Sequence, residues 1–90
     1  MAKAAVDPAE LRRFAQDLNR FNGDLKDLVQ GLKSKMSGLE ATWRDQEQRK
    51  FVEAFEQTMR TIGLFIPASE EHVKFLAKKA TAIEDYLKVR

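Results

Sequence analysis

The chain has no cysteine, two prolines and four glycines, and neither sign of charge prevails in it. The lack of thiols excludes a disulfide framework and thiolate metal sites. The scarcity of Pro and Gly, with 33% charged residues, fits long water-facing helices better than sheets or disorder. Each half, 1–45 and 46–90, carries eight basic and seven acidic residues. No basic stripe or acidic tail results, so neither nucleic acid nor a membrane surface is an expected partner. No apolar run approaches the length of a bilayer span, and Met1 to Val6 form no apolar stretch of the Sec type. The expectation is a soluble chain whose export, if any, uses another route.

Ninety residues leave little room for both a core and a catalytic pocket. One all-α domain, 1–90, is expected. Asp7 can cap a first helix, Pro8 suits its first position, and Glu10 completes an Asp-x-x-Glu capping box. Leu11, Phe14, Leu18, Phe21, Leu25, Leu28 and Leu32 then recur at steps of three and four, which is a helical stripe. Gly38 is available to end this helix near residue 39. Residues 40–45 read as the turn, and Asp45 with Gln48 reads as the next capping box.

The second half is more regular. Val52, Phe55, Met59, Ile62, Ile66, Ser69, Val73, Leu76, Ala80, Ile83 and Leu87 keep one phase, and Ser69 is the only polar member. Phe51, Phe65 and Tyr86 widen this seam on one side. The phase holds across Pro67, so one helix over about 46–88 with a kink near Pro67 is preferred to two separate helices. A short connection makes the helices antiparallel, giving a rod-like αα-hairpin.

Two such helices shield each other along one line, whereas these faces are apolar at three heptad positions. Pairing two hairpins into a four-helix bundle would bury the excess, and twofold symmetry is the commonest way to do it. The physical reading is therefore a dimer.

Trp43, the only tryptophan, falls in the midpoint turn of this 90-residue hairpin. In length, paired amphipathic helices, missing Sec signal and central Trp, the whole chain resembles the WXG family, the early-secreted-antigenic-target-like proteins exported by type VII secretion. The family turn is Trp-x-Gly; here it reads Trp43-Arg44-Asp45. The family export signal is Tyr-x-x-x-Asp/Glu after the second helix; here the degenerate counterpart is Tyr86-Leu87-Lys88-Val89-Arg90. The resemblance implies a homodimer, or a heterodimer with a sister hairpin, handled by a secretion ATPase. It also implies a non-enzymatic role, no cofactor and secretion by a non-Sec route. The alternative is an intracellular adaptor or chaperone-like module for a larger effector.

The rival chemistries are weak. His72 has no second ligand one turn away, so it reads as a half-buried structural histidine. Glu53/Glu56 and Glu84/Asp85 read as solvated charge, as do the clusters Lys74/Lys78/Lys79 and Arg12/Arg13. Ser34 and Ser37 have no activating histidine, and no nucleotide fingerprint is present. Phe55, Phe65 and Phe75 at helical spacing read as packing and not as a ligand box. Trp43 reads as a lid over the bundle end, with its indole N–H on a backbone carbonyl.

Overall fold

In the computed structural model, which describes residues 6–89, two helices make up the fold. These are α1, Pro8–Thr42, and α2, Gln46–Val89, joined by Trp43, Arg44 and Asp45. No strand occurs among the described residues. Asp7 starts α1: its extended backbone turns the chain, and its carboxylate accepts from the Ala9 N–H at 2.9 Å. Its carbonyl accepts the first helical bonds, from the N–H groups of Glu10 and Leu11 at 3.0 and 3.1 Å.

Helix α1 does not stop near residue 39. It runs through Gly38 to Thr42, with no glycine in a positive-φ conformation among the described residues. A glycine ends a helix only when it turns left-handed, and keeping it helical costs about 1 kcal/mol against alanine. Leu39, Glu40 and Ala41 are good helix formers and carry the helix on, so the turn shrinks from the expected 40–45 to three residues. Helix α2 is one helix with Pro67 inside it.

The long axis is 69 Å against 17 and 15 Å across, close to the roughly 66 Å that 44 helical residues span. The radius of gyration is 20.4 Å, whereas a compact chain of this length would have about 12 Å. The hairpin is a rod two helices wide.

On α2 the seam positions up to Ile83 face α1: Met59, Ile66, Ser69 and Ala80 are buried, and Val52, Phe55, Ile62, Val73, Leu76 and Ile83 are half-buried, whereas Leu87 is exposed. On α1 the seam is rotated by one residue from the predicted stripe. Ala15, Asn22 and Met36 are buried, with Leu11, Leu18, Leu25 and Val29 half-buried beside them. Phe14, Phe21 and Leu28 point away from the hairpin's own core, 57%, 51% and 69% exposed. Small Ala15 and Asn22 allow close approach of α2, which pushes the bulky residues one position earlier onto the flank.

Asn22 and Ser69 are the largest fully buried side chains, and the Asn22 amide and Ser69 hydroxyl have no hydrogen-bond partner. The register is marked on either side of them by the Phe21–Phe65 edge-to-face contact at 6.1 Å and the Lys26–Glu70 ion pair at 2.7 Å. A polar level thus crosses the middle of an apolar seam, at a cost of roughly 1–3 kcal/mol for each unpaired group.

Near the free end, Arg12 clamps Glu84. Its Nη2 and Nε donate to the two carboxylate oxygens at 2.7 and 3.0 Å, and Nη2 also donates to the Thr81 hydroxyl at 2.7 Å. Glu84 and Arg12 are therefore not the merely solvated charges expected from sequence. The hydrogen bonds from Arg12, and then its charge and that of Lys88, hold the Glu84 carboxyl below its ordinary pKa against the opposing effect of desolvation. Because the folded value is the lower one, this stabilisation is complete above the ordinary carboxylate range and is lost as pH falls through the folded value. Thermal melts should show Glu84→Gln destabilised at pH 7, with a narrower gap to the parent at pH 3. An equal gap at both pH values would show that the clamp is not what the substitution removes.

Candidate functional site

Two features stand out on the rod: the Trp43 tip and one apolar side. At the tip, Trp43 caps α1 with an extended backbone (φ −93°, ψ 115°), and its backbone N–H donates to the Leu39 carbonyl at 2.9 Å. The Thr42 hydroxyl donates to the same carbonyl at 3.2 Å, and Arg44 Nη2 donates to the Ala41 carbonyl at 3.2 Å. Carbonyls that a helix end leaves unpaired are satisfied here by the turn's own side chains.

Asp45 is the centre of the turn. Its Oδ1 accepts from the backbone N–H groups of Glu47 and Gln48 at 3.0 and 3.2 Å, which caps α2. The same oxygen accepts from the Trp43 indole Nε1 at 2.8 Å. The indole N–H thus bonds a carboxylate, and not the backbone carbonyl expected of it. The ring packs on Phe51 at 5.5 Å, and Phe51 stacks on Phe55 at 6.0 Å. A glycine at this position could supply neither the cap nor the indole acceptor. The replacement gives the tip three side-chain hydrogen bonds that a Trp-x-Gly turn lacks.

The apolar side follows from helical spacing. Seam positions on both helices have neighbours one residue earlier that share a side, as the Phe21–Phe65 contact shows. On α1 that side carries Phe14, Phe21 and Leu28, interspersed with Glu10, Asp17, Asp24 and Lys35, each one residue before a seam position. On α2 it carries Phe51, Phe65, Phe75 and Tyr86, at 43%, 46%, 65% and 69% exposure. Between these on α2 stand Ala54, Thr58, Thr61, Ala68 and Ala82, with Lys79 the one formal charge and His72 beside it. His72 is exposed, not half-buried, because its position lies one step off the seam. Phe55, Phe65 and Phe75 do not converge: Phe55 stacks on Phe51, Phe65 meets Phe21, and Phe75 faces outward. Leu32 and Leu87 lie on the seam but keep 46% exposure each. Tyr86 is on the apolar side near the free end; Arg90, the last residue of the degenerate export motif, lies outside the described residues.

The opposite side, one residue after each seam position, carries the ion pairs Arg12–Glu84 and Lys26–Glu70, both at 2.7 Å. Sequence reasoning missed these pairs and the buried Asn22. Cross-helix register depends on turn length, and a turn of three residues sets different partners from the six that local spacing predicts. The clue to Asn22 is its place in the seven-residue series Ala15, Asn22, Val29, Met36.

Replacing Asp45 with Ala should lower stability by about 1–2 kcal/mol through loss of the cap and the indole acceptor. Asp45→Asn, which keeps an acceptor oxygen, should retain most of it. Urea unfolding followed by circular dichroism checks both; an unchanged Asp45→Ala midpoint would remove Asp45 from its central role.

Comparison with known proteins agrees with this geometry. The chain matches the family model WXG100, proteins of 100 residues with WXG, over residues 3–86. No curated protein matches it by sequence. Among solved structures it is similar to the secreted protein EsxB of Bacillus anthracis str. Sterne. The wild-type form is 27% identical with a TM-score of 0.79, covering 91% of this chain and 88% of that one. A proline-to-alanine variant of EsxB is 25% identical with a TM-score of 0.83, covering 94% and 96%. The selenomethionine-labelled form is 26% identical with a TM-score of 0.79, covering 96% and 98%. A two-helix rod turning on Trp43, matched to the family over nearly its whole length, belongs to the WXG100 family.

Proposed function

We propose that this chain is a non-enzymatic WXG-type protein of a type VII-like secretion system, acting by protein–protein binding as substrate or targeting component. The observation that carries the binding role is the sidedness of the rod. Six large side chains, Phe14, Phe21, Leu28, Phe65, Phe75 and Tyr86, stand about half exposed or more on one side, while interhelical ion pairs occupy the other. Full burial is worth about 1.5–3 kcal/mol for each large apolar side chain, so the unburied half amounts to roughly 5–9 kcal/mol. An apolar side of this kind matches an interface better than a solvent face.

The partner that fits is another hairpin of the same kind, a second copy or a sister chain, closing a four-helix bundle with Phe14, Phe21, Phe65 and Phe75 inside. Along α2 this side carries little charge, whereas on α1 Glu10, Asp17, Asp24 and Lys35 share it, so a bundle partner must leave those groups in solvent or meet the three carboxylates with basic groups. The likeness to a protein that is itself secreted supports export of this chain, and the exposed Tyr86 is the part of the degenerate signal open to a receptor.

Light scattering should give about twice the 10.3 kDa chain mass at micromolar concentration. The double variant Phe14→Glu/Phe75→Glu, altering two side chains that the hairpin itself leaves exposed, should stay helical and become monomeric. A monomeric parent would sink self-pairing, and a sister chain encoded nearby that restores a bundle would assign the heterodimer instead. For export, the protein should appear in the medium of a host with intact type VII machinery, disappear on loss of the secretion ATPase, and decline with Tyr86→Ala. Retention in the cytosol despite working machinery would favour the adaptor role.

A further inference from the structure

The side facing away from the proposed interface is closed by ion pairs only toward the free end. From Lys26 outward, Lys26–Glu70 and Arg12–Glu84 span the two helices. Toward the turn the helices leave an open groove of about 590 Å³. Met36, Met59 and Phe55 line its apolar interior, and Gly63 with the 75% exposed Leu64 forms one end. Gly63 and Phe65 are two residues apart, hence about 160° around α2, so groove and apolar side face in opposite directions. A second copy bound on the Phe65 side leaves the groove free.

Two observations say what the groove accepts. The first is Gly63 itself. A glycine inside a helix costs about 1 kcal/mol, yet its φ is not positive, and a Cβ built on it would meet nothing within 4 Å. Gly23, Gly31 and Gly38 are equally open, and what sets Gly63 apart is its place on the groove wall, where a helix backbone laid in the groove would come closest because the wall has no side chain. The second is the rim. Glu40 and Glu56 stand at the turn end and Lys33 and Arg60 at the mid-rod end. None of the four belongs to an ion pair among the described residues; Arg60 donates only to the neighbouring Gln57 at 3.0 Å. The rim is thus a dipole, negative toward the turn and positive toward the middle.

We propose that this groove docks an amphipathic α-helix of a different protein, lying as a third helix parallel to α2. The helix N-terminus, positive by its backbone dipole, would lie between Glu40 and Glu56, and its negative C-terminus between Lys33 and Arg60. Basic side chains in its first turn and acidic ones in its last would complete the match. Glu56 to Arg60 spans about 6 Å along α2 and Glu40 to Lys33 about 10 Å along α1, so the charged first and last turns of a helix of two to three turns meet the two pairs, within a groove about 18 Å long from Val52 to Leu64. The flexible thioethers of Met36 and Met59 adapt to the side chains laid on them. The proposal does not depend on export.

The test uses the full chain with ¹³C-methyl-labelled methionine, in which Met1 is the only methionine besides Met36 and Met59. The probe is a designed helical peptide of about three turns, with leucines on one face, lysines in the first turn and glutamates in the last. It should shift the Met36 and Met59 methyl signals and bind about tenfold more tightly than the same peptide with its charges exchanged. Gly63→Leu should fold with unchanged or higher stability, keep its oligomeric state and weaken binding about tenfold. Lys33→Glu/Arg60→Glu, two exposed sites, should abolish the preference between the peptides. Absence of binding, equal affinity for both peptides, or binding insensitive to Gly63→Leu would overturn the proposal. A loss of self-association in Gly63→Leu would also overturn it, by giving the groove to a second copy.

Discussion

Two helices lying side by side cover each other along a single line, and the rest of this structure follows from that limit. Each helix here is apolar over more than one line. Whichever residues enter the shared seam, others of equal size must remain outside. In the seam Ala15, Asn22, Ser69 and Ala80 sit at or near zero exposure beside the buried Met36, Met59 and Ile66, while six aromatic or leucine side chains collect on one flank. Small residues such as Ala15 and Ala80 draw the helices together, and Phe14, Phe21 and Leu28 stay on an outer surface. Sidedness is thus a consequence of packing, before any partner is considered.

The polar level at Asn22 and Ser69 has the opposite logic from the rest of the seam. Unpaired polar groups at full burial oppose stability, yet a lone polar position in a helical seam is the best attested device for fixing register. A seven-residue slip of one helix past the other would place Asn22 against large apolar side chains instead of the small Ser69. The ion pairs flanking this level, Lys26–Glu70 and Arg12–Glu84, reinforce the same register from the outside. Their exposure keeps their energetic contribution small. Their value is geometric, since they hold the charged side of the rod together and leave the turn-proximal groove uncrossed.

The tip shows how one substitution alters a motif without undoing it. Glycine in a Trp-x-Gly turn offers backbone freedom, but no residue of this turn adopts a positive φ. Freedom is not what the turn uses. Aspartate supplies one carboxylate oxygen that serves three donors, two backbone N–H groups of α2 and the indole N–H of Trp43. The tryptophan is thereby fixed to the start of α2, where it meets Phe51. Trp43, Phe51 and Phe55 thus form one aromatic run from the tip toward the core.

Helix type, hairpin order and the phase of the α2 seam were all legible in the residues, because hydrophobic spacing at three and four is a local property of the chain. So was the cap at Asp7, whose hydrogen bond spans two residues. Local spacing could not decide which of two neighbouring lines on α1, Leu11–Phe14–Leu18–Phe21 or Leu11–Ala15–Leu18–Asn22, faces α2. Both contain leucines at the same positions, and the choice depends on how closely a second helix can approach. Nor could it place Arg12 on Glu84, since a pair 72 residues apart depends on the true length of the turn. The sequence by itself determined two amphipathic helices turning at Trp43. Only the tertiary structure decided which side each aromatic occupies, because burial between helices is settled by the size of both faces at once.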